Sequence, residues 1–133
     1  MSSKYWWAAA VACGLLVTAV PTVAHHSVSS EYDFGKPVEL TGVITRVDWV
    51  NPHTMFHLQV TGQDGNKSIW LFQTGGAGAL RRQKEFVGKT LIGETLTISG
   101  FAARNGKAQA FMKSLTMPGG EQVTMWFGDP NGN

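Results

Sequence analysis

Residues 38–52, VELTGVITRVDWVNP, predict one long strand that ends at a proline turn. Their apolar positions alternate as in a half-buried strand, but the phase of the alternation shifts near Gly42. A glycine at such a shift predicts a bulge that coils the strand. Strong coiling of a first strand is what the closure of a small barrel requires. Pro52 then turns the chain, because proline cannot donate a hydrogen bond to a strand ladder.

Two hairpins and a short helix are predicted downstream of this strand. Asp64-Gly65 and Asn105-Gly106 are turn dipeptides, and each lies between two alternating segments. The predicted elements are strands at 38–49, 54–61 and 68–73, a helix at 79–85, and strands at 95–103, 109–117 and 122–127. This order predicts an all-β domain with one short helix, a small barrel of the oligonucleotide/oligosaccharide-binding (OB) type with five to six strands, closed or partly open. A meander or a small sandwich is the alternative.

The segment upstream predicts export. Lys4 precedes an apolar run at 8–20, Pro21 ends that run, and Thr22-Val23-Ala24 offers small residues for a signal peptidase. We expect cleavage after Ala24 and a periplasmic or secreted protein with no stable membrane anchor. A retained membrane helix is the competing interpretation, but the run is shorter than the ~20 residues that spanning needs.

The predicted organisation is a signal peptide at 1–24, an extended arm at 25–36, a β-barrel domain at 37–127 and a loose tail at 128–133. The only cysteine, Cys13, lies in the signal, where a lipoprotein anchor is an alternative. The mature chain would then form neither disulfides nor thiolate metal sites.

Charge and motifs argue against two classes of function. The whole chain carries a net charge of +2, part of which leaves with Lys4, and no basic tract could neutralise many phosphates, so we expect no nucleic-acid partner. No catalytic triad, thiol nucleophile or glycine-rich phosphate loop is recognisable, so we do not predict an enzyme. A periplasmic protein partner stays open.

Four ordered motifs resemble a known family. They are His25-His26-Ser27 behind the signal, Trp49-Val50-Asn51-Pro52-His53 after the long strand, Leu80-Arg81-Arg82, and the hairpin Gly100-Phe101-Ala102-Ala103-Arg104-Asn105-Gly106. Together they are similar to the exported bacterial family catalogued as domain of unknown function 6152. The resemblance implies a small, secreted or periplasmic, mostly β protein, and it implies no activity. Similar proteins more often carry a polar helix cap where this chain has Gly75 to Gly78.

The histidines after the signal predict a copper(II) site. Cleavage after Ala24 makes His25 the first residue, whose amine and imidazole can chelate one ion, and copper(II) favours tetragonal nitrogen ligands. Cleavage one residue earlier places His26 third, which also suits copper(II). The predicted ligands are His25, His26 and His53, with His57 and Met55 as outlying candidates.

Each of these residues also has a purely structural interpretation. The paired histidines can be a polar flank for the peptidase, His53 can cap its turn, and His57 can be an ordinary strand residue. The alternative function is a non-metal binding module, in which the aromatic rings of Trp49, Trp70 and Phe101 take a peptide, a glycan or a protein partner.

Overall fold

Six strands make up one sheet in the computed structural model, which describes residues 28–86 and 90–126. Two single-turn helices accompany them. The elements in chain order are α1 (Val28–Glu31), β1 (Tyr32–Asp48), β2 (Met55–Thr61), β3 (Lys67–Gln73), α2 (Ala77–Leu80), β4 (Thr95–Ala103), β5 (Gln109–Thr116) and β6 (Gln122–Thr124).

Five of these strands close into a ring. β1 pairs antiparallel with β2 on one side and with β4 on the other, β2 pairs with β3, and β4 pairs with β5. A parallel pairing of β3 with β5 joins the two ends, and β6 extends the sheet from β5. The resulting order 1-2-3-5-4-1, with a helix between β3 and β4, confirms the predicted OB-type barrel.

β1 serves two neighbours because it coils. Its first part pairs with β4 as far as Val43, and its last part pairs with β2 from Val43 onward. The predicted bulge near Gly42 is wrong in position: the register shifts at Thr45, between Ile44 and Arg46. Gly42 acts differently, because a Cβ there would collide with the Gln59 backbone of β2. Its lack of a side chain lets the two strands approach closely.

The first strand begins at Tyr32, six residues before the predicted start at Val38. Residues 33–36, which belong to the segment we predicted as an arm, form an irregularity within β1, since Tyr32 pairs with Ala103 and Pro37 already pairs with Phe101. The sequence did not predict this extension, because the apolar and polar residues of this segment do not alternate as in a regular strand.

The remaining elements follow the prediction closely. β4 has the predicted bounds, and Gly65 and Gly106 have positive φ in the predicted hairpin turns. The predicted helix start at Ala79 is wrong: α2 begins at Ala77, within the glycine segment, and ends at Leu80. Leu80 lies in the core, and this burial holds the turn despite the glycines. The last strand ends at Thr124.

Two apolar clusters stabilise the fold. The larger one fills the barrel and consists of Ile44, Phe56, Leu58, Phe72, Leu80, Phe86, Leu91, Leu96, Ile98, Ala110, Met112, Leu115 and Val123. The smaller one, which we call the aromatic layer, contains Tyr32, Phe34, Phe101, Ala103, Phe111 and Trp126, with Val28 at its edge. Phe111 and Met112 alternate along β5 and belong to different clusters, so the aromatic layer covers the outer face of the barrel.

The predicted signal peptide, His25, His26 and the predicted tail at 128–133 lie outside the described residues.

Candidate functional site

The loop between β1 and β2 carries His53, one of the predicted metal ligands. His53 is exposed and follows the Asn51–Pro52 peptide bond, which is cis. The loop is fastened to the segment before α2: Thr54 N–H donates to the Gly75 carbonyl, and Ala77 N–H donates to the Val50 carbonyl. His53 is thus held on an anchored loop.

Gly76, the residue directly before α2, lies close to this loop. A Cβ at Gly76 would lie 2.5 Å from the side-chain oxygen of Asn51. It would also lie 3.1 Å from the Pro52 carbonyl oxygen, so the lack of a side chain at Gly76 lets the loop pack closely, whereas a Cβ at Gly75 or Gly78 would meet nothing within 4 Å. Nearby, Trp49 packs against Phe56 and Phe86, with Arg81 5.4 Å above its ring.

A histidine and a carboxylate meet on the outer face of the β1–β2 hairpin. His57 Nε2 lies 2.9 Å from Asp48 Oδ2, and Arg46 Nε donates to the other carboxylate oxygen. Both side chains of the His57–Asp48 pair are about three-quarters buried, with 22% and 27% exposed. The sequence shows no distinctive histidine–carboxylate spacing, because the bulge at Thr45 sets which residues of β1 oppose β2.

The charge on Asp48 is stabilised by its neighbours. The hydrogen bond from His57 lowers the pKa of this carboxyl below its ordinary value, and Arg46 lowers it further, against a smaller opposing effect of desolvation. An ionised carboxylate only accepts hydrogen bonds, so neutral His57 carries its proton on Nε2 and keeps a lone pair on Nδ1. That nitrogen is the atom with which His57 can bind a metal ion or a donor group.

The predicted metal ligands do not come together among the described residues. No group of three or more histidine, cysteine, aspartate or glutamate side chains there could hold a metal ion. Met55 lies on the same face of β2 as His57, two residues earlier, and both are half-buried. His25 and His26 lie outside the described residues.

A row of side chains runs from His57 across the outer face of the barrel. His57 is opposite Leu71 in β3, and Leu71 is opposite Gln109 in β5. The amide of Gln109 donates to the Tyr32 hydroxyl at 2.9 Å, and that hydroxyl donates to Gln73 at 2.9 Å. The row therefore leads from His57 in β2 to Tyr32, the residue that directly follows α1.

Tyr32 fixes the start of the described chain to this face. Its side chain is 1% exposed and packs against Phe111 at a ring distance of 5.6 Å. Burial raises the pKa of the Tyr32 phenol above its ordinary value and outweighs the lowering by the Gln109 hydrogen bond. Arg104 strengthens the attachment: its backbone N–H and its Nε donate to the carbonyls of Glu31 and Ser29.

A second concave region lies over β1, β4, β5 and β6. This groove has a volume of about 620 Å³. Ser99 and Ser114 hydrogen-bond to each other at 2.7 Å on its floor. The groove is lined by Pro37, Val38, Glu39, Ser99, Gly100, Phe101, Lys113, Ser114, Gln122 and Thr124.

The three aromatic residues of the predicted binding face do not share an exposed surface. Trp49 and Trp70 are partly buried and pack against the main core. Phe101 is 8% exposed and lies in the aromatic layer, with Phe34 and Trp126 against it. The prediction that they form one face is wrong, because large rings in a barrel this small are used for packing.

Comparisons with known proteins show the family of this chain. A family model described as "Family of unknown function (DUF6152)" matches residues 11–113. No curated protein matches the chain. Among solved structures, the dimeric N-terminal domain of the PriB protein from Thermoanaerobacter tencongensis is similar, with 17% identity, coverage of 62% of this chain and 96% of that chain, and a TM-score of 0.45. Neither helix in the described part of the chain has the length and hydropathy needed to cross a bilayer.

Proposed function

The chain belongs to the DUF6152 family, and we propose that it is an exported β-barrel protein that binds copper(II) through its mature N-terminus. The observation that carries this proposal is the sequence His25-His26 directly behind a small-residue cleavage signal. Removal of residues 1–24 frees an amine on the residue that also carries an imidazole.

The chemistry of these two groups fits copper(II). The divalent affinity series peaks at copper(II), and nitrogen ligands in a tetragonal arrangement suit this ion. An α-amine titrates near ~8 and histidine near ~6.5, so copper binding at neutral pH displaces protons at a modest cost. The mature chain has no thiolate to compete for the ion.

The proposal is supported by the short distance in sequence between the expected terminus and the folded barrel. Only residues 25–27 separate the expected terminus from Val28, which packs at the edge of the aromatic layer. Tyr32 and Arg104 attach the following residues to the barrel. A copper ion at the terminus is therefore tethered to the folded domain by a short segment.

The test is a calorimetric copper(II) titration of protein that begins at His25. The matched comparison is the same chain with its N-terminal amine acetylated, which keeps every side chain and removes the amine as a ligand. We expect the acetylated protein to bind copper(II) at least about tenfold more weakly, a difference of about 1.4 kcal/mol. Equal affinities of the two proteins would refute the proposal.

A second candidate function is binding of a non-metal ligand in the 620 Å³ groove. Its size lies in the range of small-molecule sites, and hydroxyl, amide and charged groups line it. Thr124→Trp would fill the groove, and Thr61→Trp, at an exposed strand end elsewhere, is the control. If this function holds, a small molecule co-purifies with the wild type and with Thr61→Trp but not with Thr124→Trp. If Thr124→Trp retains the same co-purifying molecules as the wild type, this function is refuted.

A further inference from the structure

We propose that the groove over β1, β4, β5 and β6 binds a short peptide with both termini free, whose amine faces Glu39 and whose carboxylate faces Lys113. This inference rests on the second candidate function, because it names the ligand class for the same groove, and it needs no copper(II). The carrying observation is that two opposite charges without ion-pair partners among the described residues flank a floor of hydroxyl groups.

The floor of the groove is a row of side chains that lie opposite one another on four strands. Glu39 in β1 is opposite Ser99 in β4, which is opposite Ser114 in β5. Thr124 in β6 continues the row from Ser114. Side chains at directly opposed positions project from the same face of a sheet, and all four of these residues line the groove.

A bulge in β5 adds Lys113 to this face. The register between β4 and β5 skips Lys113, because Ser99 pairs with Ser114 and the next pair is Gly100 with Met112. A bulge leaves its extra residue unpaired and changes the direction of its side chain. Two backbone N–H groups after β6 donate to the Lys113 carbonyl at 2.9 and 3.2 Å and hold the bulge in place. Lys113 therefore lines the groove together with its neighbour Ser114.

The two charged groups of the groove have the separation of the two ends of a short peptide. Glu39 and Lys113 are both exposed, and neither side chain makes an ion pair within residues 28–86 and 90–126. Their backbones are two strands apart, about 10 Å at ~4.8 Å per strand. An extended tripeptide spans about the same distance, at ~3.3–3.6 Å per residue. A peptide that lies across the strands thus brings one terminal charge to each group.

The serine hydroxyls between these charges suit the backbone of such a peptide. Ser99 and Ser114 share one hydrogen bond at 2.7 Å, which uses one of their two hydroxyl protons, and neither hydroxyl makes another within the described part of the chain. The second proton and the remaining lone pairs can bind a carbonyl oxygen and an N–H group of a ligand. Ser114 is 7% exposed, and a hydrogen bond is stronger where water is largely excluded.

The lining of the groove favours a peptide over a sugar. Phe101 is the aromatic residue of this lining, and it is only 8% exposed because Phe34 and Trp126 pack edge-on against its ring. A sugar ring therefore has no open aromatic surface among the described lining residues on which to stack.

The experiment is a calorimetric titration of the metal-free protein with trialanine in the presence of a chelator, so that copper(II) cannot hold the peptide amine. We expect saturable binding of trialanine. N-acetyl-trialanine and trialanine amide each lack one terminal charge and should bind at least about threefold more weakly, the effect of one exposed ion pair. Failure of trialanine to bind, or equal binding of the three peptides, would overturn the inference.

Two charge variants assign the termini of the peptide. Glu39→Gln should weaken the binding of trialanine by about threefold and leave that of N-acetyl-trialanine unchanged, and Lys113→Gln should do the same for trialanine and its amide. Glu94→Gln and Lys107→Gln, at exposed positions outside the groove, are the matched controls and should bind as the wild type does. A loss of affinity that persists when the corresponding terminus is blocked would overturn the inference.

Three further outcomes separate this inference from the function on which it rests. If Thr124→Trp loses a co-purifying molecule but the wild type does not bind trialanine, the groove is a binding site and its ligand is not a peptide. Binding of maltotriose in place of trialanine would assign a sugar to the groove and overturn the inference. If Thr124→Trp changes neither the co-purifying molecules nor the binding of trialanine, the groove function and the inference both fail.

Discussion

At Gly42 and Gly100 the backbone of one strand passes so close to its neighbour that a side chain has no room. A Cβ at Gly42 would collide with the Gln59 backbone, and a Cβ at Gly100 would collide with the Phe111 backbone. Both glycines lie within paired strands of the ring. At the scale of single residues, the close pairing of these strands thus requires glycine, which has no Cβ, at both positions.

Gly42→Ala should destabilise the protein by about 1–3 kcal/mol, the usual cost of overpacking a well-packed region. The free energy of unfolding is measured by urea denaturation. Gly119→Ala is the control, since nothing lies within 4 Å of a Cβ at that position. If Gly42→Ala and Gly119→Ala unfold at the same urea concentration, the close approach is not what makes Gly42 necessary.

The buried phenol of Tyr32 should make stability depend on alkaline pH. Its pKa is raised in the folded state, so the contribution of the neutral phenol is fully present below the unfolded value near ~10 and is lost as the pH rises through the folded value. Tyr32→Phe should cost about 0.5–1.5 kcal/mol at neutral pH for the lost hydrogen bonds, and should lose less stability than the wild type above pH ~10. Parallel pH profiles of the two proteins would contradict this.

At the scale of elements, the strands that alternate clearly could be predicted from sequence, and the irregular segments could not. β4 has its predicted bounds because apolar and polar residues alternate between two turn dipeptides. The early start of β1 at Tyr32 could not be predicted, because residues 33–36 break the register and the rings that pack on Phe34 are distant in sequence, Phe101 in β4 and Trp126 after β6. The Asp48–His57 pair escaped prediction for a related reason, since the bulge at Thr45 changes which side chains share a face.

The aromatic layer joins the first and last described segments, and its rings should be energetically coupled. Phe34 stacks on Trp126 at a ring distance of 5.3 Å and meets Phe101 edge-on at 5.0 Å. A double-mutant cycle of Phe34→Leu with Trp126→Leu should give a coupling energy of about 0.5–1.5 kcal/mol in chemical denaturation. A control cycle of Phe34→Leu with Trp70→Leu should be additive, because Trp70 packs against the main core and not in the aromatic layer. Additivity in both cycles would show that Phe34 and Trp126 are not energetically coupled.

For the whole molecule, the sequence predicted the barrel type and the family, and the structure adds how the first described residues are attached to the barrel. Hydrogen bonds join Tyr32, at the start of β1, to Gln73 in β3 and to Gln109 in β5, and His57 lies opposite Leu71 of β3. The sequence could name His25 and His26 as candidates but could not predict that His57 pairs with Asp48, since that pair depends on a contact across the β1–β2 hairpin.

The central claim is that export creates a copper(II)-binding N-terminus on this barrel. Native mass spectrometry of protein taken from the periplasm, with one equivalent of copper(II) added, tests it in one spectrum. We expect the mass of a chain that begins at His25 and retains one copper ion, and the same chain acetylated at its N-terminus should not retain it under the same conditions. A periplasmic chain that begins elsewhere than Ala24 or His25, or that leaves its copper unbound, would contradict the account.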